Sequence, residues 1–395
     1  MQHPSLQHAH PAIYAAFDVH PSAKGASTHI THFSECLFDY MQGGLLYVVG
    51  HDKLPAYEKN QYIETIRFVE ALPNYLERAQ AFSQELLSLL PSQNTLRIAH
   101  FRDIWGGLPL LQYPHRQYRT LFEVNGLPSI ELPYRYPLLS PGTIQKFEAM
   151  EQFCLERADH LVVPSAVIAK HLQSRGIASE KITLISNGAE LPHTLERPAD
   201  APTQYIIYFG ALQNWQGVDV LLKAFKMIAE SYPALQLIIC ASTKLRHSKD
   251  YQKFVKHLGL EERVQWRYQL KKRELYAWVH HALFSVAPLK ACSRNIVQGC
   301  SPLKILESMA LGTPVLASDL PAVREIIWDK QLGLLFRPDR PAELARAMRA
   351  WVEQPALLDH LRPQVRSHIE KHFSWADKKA ALIKVYEGLL LPPPD

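Results

Sequence analysis

Ser301–Ser318, SPLKILESMALGTPVLAS, sets a lysine and a glutamate three residues apart at the start of a helical pattern. Ser301 suits the helix N-cap and Pro302 the first helical position, where the missing N–H costs nothing. Leu303, Leu306 and Ala310 then fall on one face, and Lys304, Glu307 and Ser308 share another. Gly312 ends the helix, and Pro314–Ala317 reads as a buried strand. A helix N-terminus offers free N–H groups and the positive end of a dipole, so a cation displayed there favours phosphate. An ordinary surface Lys–Glu pair is the competing reading of the spacing.

Three further segments end strand-like runs, where α/β proteins bind ligands. Lys24-Gly25-Ala26-Ser27 follows the first run, and its glycine lets backbone N–H groups approach a phosphate or a sugar. His100-Phe101-Arg102-Asp103-Ile104-Trp105-Gly106-Gly107 offers an imidazole, a guanidinium and a carboxylate within four residues; a buried core histidine is the alternative for His100. Glu123-Val124-Asn125-Gly126 ends another run before a proline-rich loop, Leu127–Pro141. Metal chemistry has little support. No D-x-D occurs, and His280-His281 and His368/His372 lack a carboxylate or cysteine at ligand spacing. His29 and His32 share a helical face. Lys271-Lys272-Arg273 and the basic run Lys244–Lys256 read as solvated helix faces, with membrane docking the minority reading.

The elements that position these residues alternate along the whole chain. Strand-like runs are Ile13–Asp18, Leu45–Val49, Leu96–His100, Leu121–Val124, Leu161–Val163 and Ile182–Ile185. After a gap come Tyr205–Phe209, Leu235–Cys240, Val264–Tyr268, Leu283–Val286, Pro314–Ala317 and Gly333–Leu335. Helical patterns separate them, among them Tyr75–Leu90, Thr143–Arg157, Val218–Tyr232, Lys272–His281 and Pro341–Val352. This β-then-α order with apolar strands predicts parallel sheets covered on both faces. Glu190–Thr203, ELPHTLERPADAPT, carries three prolines and reads as a semi-rigid linker between two domains of normal size.

Composition narrows the class. The chain has 395 residues, 47% apolar and 21% charged, which excludes disorder, collagen and coiled coil. Five scattered cysteines with no C-x-x-C pair suit a reducing compartment. A net charge of +5 fits an anionic small molecule or a membrane surface better than a duplex nucleic acid. No apolar run reaches the length of a membrane span, and MQHPSLQHAHP lacks the features of a signal peptide, so a cytoplasmic protein is expected.

The order of the motifs resembles the family-four glycosyltransferases, the retaining GT-B enzymes. P-L-K-x-x-E-x-M-A-x-G-x-P-V matches the second half of their signature, with Glu307 as its second glutamate. Asp18–Ile30, DVHPSAKGASTHI, resembles their first glycine-bearing loop. Glu156–Gly188, ERADHLVVPSAVIAKHLQSRGIASEKITLISNG, resembles their "AD-hydrophobic-PS … RG … K-I-x-x-I-x-N-G" passage. Tyr208–Phe225, YFGALQNWQGVDVLLKAF, resembles the start of their second domain, and Phe373-Ser374-Trp375 the element that crosses back to the first.

The resemblance implies an α/β GT-B fold: two facing Rossmann-like domains with a C-terminal helix returning to the N-terminal domain. The implied boundaries are 1–190 for the acceptor domain, 191–203 for the linker, 204–374 for the nucleotide-sugar domain and 375–395 for the helix. The implied reaction moves a sugar from a UDP- or GDP-linked donor to a sugar, lipid or small-molecule acceptor, with retention and without metal or cofactor. Weak peripheral membrane contact is a further implied partner.

Three expected donor groups are missing. Ala211 stands where the family usually has an arginine, Gln216 where it has a lysine, and Gly299 where the first glutamate falls. Deleting two cations without replacement disfavours a diphosphate leaving group. The segment Lys290–Lys304, KACSRNIVQGCSPLK, supplies substitutes. Arg294, with a fork that grips phosphate bidentately, and Lys304 are expected on phosphate, and Asn295 and Gln298 on hydroxyls. A solvated loop residue is the alternative for Arg294. The expected catalytic set is thus His100, Asp103, Arg294 and Lys304. Donor contacts are expected from Gly25, Gly210, Asn295, Gln298, Lys304 and Glu307, and acceptor contacts from Arg102, Glu123 and Asn125. Asp103 is expected to orient an acceptor hydroxyl. The rival readings are a degenerate binding protein, motivated by the missing groups, and a nucleotide-sugar epimerase; a phosphorylase is disfavoured because no pyridoxal lysine signature appears.

Overall fold

The computed structural model describes residues 9–23, 25–51, 53–192 and 195–391. Lys24 and two positions of the expected linker, His193 and Thr194, lie outside the described residues. The chain divides into two units. One comprises the chain up to Ser22, Ala26–Ser186 and the stretch from Lys378 onward. The other comprises Ala23–Gly25 and Asn187–Asp377.

The first unit is built on eight strands: β1 (Ala12–Val19), β2 (Gly44–Val49), β3 (Tyr57–Asn60), β4 (Ile63–Phe68), β5 (Ile98–Phe101), β6 (Arg119–Glu123), β7 (His160–Val163) and β8 (Ile182–Leu184). Their order is β3-β4-β2-β1-β5-β6-β7-β8, and every neighbouring pair is parallel except β3 with β4. Helices α1 (Gly25–Met41), α2 (Tyr75–Leu89), α3 (Ile104–Gln112), α4 (Pro128–Arg135), α5 (Pro141–Arg157) and α6 (Ala166–Ser174) connect them. β1 and β2 are apolar on both faces because the sheet is covered on both sides.

The hairpin β3–β4 was not among the expected strands, for a physical reason. Its buried residues include Glu64 and Arg67, which break the apolar pattern. Each is neutralised by an exposed partner on β3: Glu64 pairs with Lys59 at 2.8 Å, and Arg67 with Glu58 at 2.8 Å. Charged β3 also protects the sheet edge from pairing with another chain.

The second unit has six strands: β9 (Gln204–Gly210), β10 (Leu235–Ala241), β11 (Val264–Tyr268), β12 (Ser285–Ala287), β13 (Val315–Ser318) and β14 (Leu334–Phe336). All pair in parallel in the order β11-β10-β9-β12-β13-β14. Its helices are α7 (Val218–Ala229), α8 (Lys249–His257), α9 (Lys272–His280), α10 (Leu303–Ala310), α11 (Pro321–Arg324), α12 (Pro341–Val352) and α13 (Pro355–His372), and α14 (Trp375–Leu390) follows them. α13 carries Pro363 in its interior, which hid it from a reading of helix breakers. Its arginines tie the unit together: Arg362 donates to the Ala282 carbonyl at 2.7 Å and Arg366 to the Ala310 carbonyl at 3.0 Å.

Each strand expected from apolar runs is present within two residues at either end. Both units are Rossmann-like. α14 belongs mostly to the first unit, where buried Tyr386 meets His100 Nδ1 through its hydroxyl at 2.9 Å and stacks on Tyr40.

Candidate functional site

In the second unit the expected residues gather at the carboxyl end of β9. Gly210 closes that strand with φ +125°, a conformation side chains resist, and an added Cβ would lie 3.4 Å from Lys304 Nζ. The chain then makes a short turn, Asn214–Gln216, and enters α7 through Gly217. Gly217 has φ +68°, and a Cβ there would meet the Pro288 carbonyl oxygen at 1.8 Å, so only glycine fits. This close approach brings the 290–300 segment against the turn, and Lys290 N–H donates to the Trp215 carbonyl at 3.0 Å.

Lys304 projects from the first turn of α10. Its amine donates to Gln216 Oε1 at 2.6 Å and sits 4.1 Å over the Tyr208 ring. Gln216 is the position where the resembling family carries lysine, so the amine of Lys304 arrives beside the site of the missing one. Enclosure pushes Lys304 down to about 7, and nearby Arg294 adds to this while Cys300 and Glu307 oppose it. One turn along, Glu307 accepts a hydrogen bond from Tyr276 Oη at 3.2 Å. Its enclosure raises the carboxyl to about 7; Glu190 pushes the same way, and Lys272, Tyr276 and Lys304 hold it back. A cation and a carboxylate thus stand side by side, both partly exposed and both close to losing their charge at neutral pH.

The helix itself differs from expectation in two details. The Ser301 hydroxyl accepts from Asn187 N–H at 3.1 Å and does not cap α10, whose N-cap position is Pro302. Ser308 is buried against the Ser285 hydroxyl at 2.7 Å and leaves the polar face to Lys304 and Glu307.

Residues Arg294–Gln298 form a single π-helical turn. It buries its two amides, Asn295 and Gln298, and exposes its two aliphatic residues, Ile296 at 43% and Val297 at 40%. Asn295, expected on a substrate hydroxyl, instead pins the loop by donating to the Trp215 carbonyl at 3.0 Å and the Lys290 carbonyl at 2.8 Å. Gln298, expected in the same role, has no exposed surface. The inward turn of the π-helix, with its amides serving the loop, explains both. Arg294 stays partly exposed, 5.7 Å over the Trp215 ring and 3.3 Å from Asn295 Oδ1. Lys290 is engaged with Asp219 at 2.9 Å and Asn214 at 2.9 Å.

In the first unit the expected residues gather at the carboxyl ends of β1, β5 and β6. Glu123 is enclosed and receives Tyr14 Oη at 2.7 Å, Arg102 Nε at 3.0 Å and the Asn125 amide. His29 Nδ1 lies 2.9 Å away and His100 Nε2 3.3 Å away. Burial pushes Glu123 upward, but His29, His100 and Arg102 outweigh it and hold the carboxyl well below its usual range. Burial leads the causes that lower His29, and the Glu123 carboxylate opposes it. Arg102 reaches onward to Asp18 at 2.6 Å, and Asp18 is 37% exposed.

His100, expected in the catalytic set, is wholly buried between Glu123 and Tyr386, as its alternative reading had it. Asp103 caps α3: its carboxylate accepts Trp105 and Gly106 N–H groups at 3.0 Å and Phe17 N–H at 2.6 Å. Burial nevertheless raises it to about 6. Arg102 and Asn125 remain partly exposed. Gly25 opens α1 and groups with the second unit. Sequence reasoning missed Asp18, Tyr14, His29 and Tyr386 as members of this cluster. Only Asp18, a polar residue at a strand end, carried a readable signal.

Among the described residues no group of three or more His, Cys, Asp or Glu is arranged to hold a metal ion, and no helix is long and apolar enough to cross a membrane.

Comparison with known proteins places these units. Residues 203–354 match the model of "Glycosyl transferases group 1", and residues 23–191 that of "Glycosyltransferase Family 4". The glycogen synthase of Mycobacterium tuberculosis is 26% identical over 252 residues, 63% of this chain and 58% of that protein. A D-inositol 3-phosphate glycosyltransferase of Streptomyces scabiei is 26% identical over 253 residues, 59% of this chain and 54% of that protein. The chain thus spans little more than half the length of the curated relatives it matches. Among solved structures, sucrose-phosphate synthase from Thermosynechococcus elongatus superposes with TM-score 0.78 at 19% identity, covering 96% of this chain and 99% of that one. The Anabaena HepE protein in complex with UDP-glucose gives 0.74 at 14% identity, covering 95% and 99%. These likenesses show the fold, GT-B. With one family match on each of its two Rossmann-like units, the chain is similar to the group-1 and family-4 glycosyltransferases along most of its length.

Proposed function

We propose that the chain transfers a sugar from a UDP- or GDP-linked donor to a sugar, lipid or small-molecule acceptor, with retention at the anomeric carbon. The carrying observation is the juxtaposition of Lys304 with Gln216 and Gly210, one helical turn from Glu307. Lys304 supplies the charge for the donor diphosphate beside the position where the family's lysine is missing, and Arg294 supplies a second cation. Glu307 accepts the donor ribose hydroxyls. Catalysis rests on electrostatic support of the departing diphosphate, with neither metal nor covalent nucleophile. Retention follows the family-four resemblance of the signature helix. An anion arriving at Lys304 restores the full charge that enclosure suppresses, so donor binding draws a proton onto the amine.

Glu307→Ala tests this. The side chain is partly exposed on α10, so the variant folds, loses about ten- to a hundredfold in nucleotide affinity and transfers no sugar. Wild-type affinity for every nucleoside diphosphate in that variant would overturn the assignment. The anomeric coupling of the product, read by proton NMR, tests retention. Ala211 and Gly299 favour a second reading, a protein that binds the donor without transferring its sugar. Donor binding with neither transfer nor donor hydrolysis, across a panel of acceptors, would select it.

A further inference from the structure

Phe17, near the end of β1, keeps its ring partly exposed and begins an aromatic wall on the first unit. Tyr75 meets it edge-on with centroids 5.6 Å apart, and Trp105 backs both, donating its indole N–H to Tyr75 Oη at 3.1 Å. Tyr136 continues the wall 5.8 Å beyond Tyr75. Two guanidiniums rest on these rings. Arg78 lies 5.9 Å from the Phe17 centroid, and Arg135 lies 5.6 Å from Tyr75 and 5.3 Å from Tyr136.

Some arginines of this unit are paired with carboxylates and others are not. Arg67, Arg102 and Arg175 each meet a carboxylate within 3 Å. Arg78 and Arg135 meet none among the described residues; Arg78 gives one N–H to the Leu72 carbonyl at 2.7 Å. Stacked guanidiniums keep their in-plane donors free, and those donors match a phosphate or carboxylate bidentately. Directly after Phe17 comes Asp18, with Arg102 on its carboxylate, an acid–base pair suited to hydroxyl groups. Partly exposed rings beside such a pair make a surface for a sugar ring. A neutral sugar has no use for two unpaired guanidiniums.

We propose that this wall is an acceptor subsite for an anionic sugar, a hexose or polyol bearing a phosphate or carboxylate. Its ring stacks on Phe17 and Tyr75, its hydroxyls meet Asp18 and Arg102, and its anion is taken by Arg78 and Arg135. The word acceptor rests on the function proposed above; the binding site does not.

The test is calorimetric titration of the full chain with glucose 6-phosphate, glucuronate and glucose, each with and without UDP and GDP. The expected result is at least about tenfold tighter binding of one or both anionic sugars than of glucose. Phosphate over glucuronate identifies a phosphate ester, and the reverse a uronic acid. Arg135→Gln, on an exposed side chain, is expected to remove that preference, and Arg78→Lys to keep part of it. Equal affinity for all three sugars, binding of none, or an unchanged preference in Arg135→Gln and Arg78→Gln overturns the proposal. Nucleotide binding in the same titrations separates the two ideas: anionic sugar bound without any nucleotide defeats the donor reading and leaves the subsite standing.

Discussion

Two clusters of charge, one in each unit, are built on opposite plans. Around Glu123 the carboxylate is saturated: a phenol, a guanidinium, an amide and two imidazoles converge on it, and it stays ionised in a dry interior. Around Lys304 and Glu307, both partly exposed, the partners are an amide oxygen, an aromatic face and a phenol. Among the described residues neither group has an opposite charge in hydrogen-bond contact, and both drift toward neutrality. A saturated charge is a scaffold; an under-partnered one waits for a ligand.

The largest effect expected from this contrast is on stability. Glu123→Leu leaves Arg102 with Asp18 alone and strands the Tyr14 hydroxyl, and removal of one partner from such a buried network costs about 3–5 kcal/mol. Urea unfolding of the full chain measures it; a loss below about 1 kcal/mol would show that the cluster relaxes and is no scaffold.

Next comes binding at the under-partnered cluster. Arg294→Ala is expected to lower donor affinity or transition-state stabilisation by about 1.5–3 kcal/mol, the range for a charged hydrogen bond. Adding Ala211→Arg is expected to restore part of it, because both guanidiniums serve the same phosphate. An unchanged kcat/KM in Arg294→Ala would leave the diphosphate to Lys304 alone.

A smaller effect is the pH profile. Above about 7 Lys304 loses its proton, and below about 7 Glu307 gains one, so donor affinity peaks near neutrality and falls on both sides. The two steps belong to the pair. The slope reaches about tenfold per pH unit on each limb. Lys304→Arg is expected to flatten the alkaline limb, since a guanidinium stays charged; persistence of that limb would assign it to another group. The smallest expected effect is none: a chelator leaves transfer intact, and a strict need for added Mg²⁺ would contradict the electrostatic reading.

The strands were legible because their cores are apolar on both faces, and periodicity alone locates such segments. The signature helix was legible down to Lys304 and Glu307. What escaped was whatever depends on partners distant in sequence. Glu64 and Arg67 read as polar interruptions until Lys59 and Glu58 neutralise them in β4. Asn295 and Gln298 read as ligand groups because nothing in a linear sequence announces a π-turn that folds its amides inward. His100 read as a strand-end imidazole, and the phenol that closes over it comes from Tyr386, 286 positions later.

That last separation bears on how the molecule is made. The first unit draws its closing helix from beyond Asn187–Asp377, so a ribosome completes the second unit while the first still lacks Tyr386 and Lys379. Until then the faces of Cys36, Tyr40 and His100 that α14 covers stand open to water and to other nascent chains. The unit synthesised first is therefore the one finished last, and closing a loop of this length is what seals it.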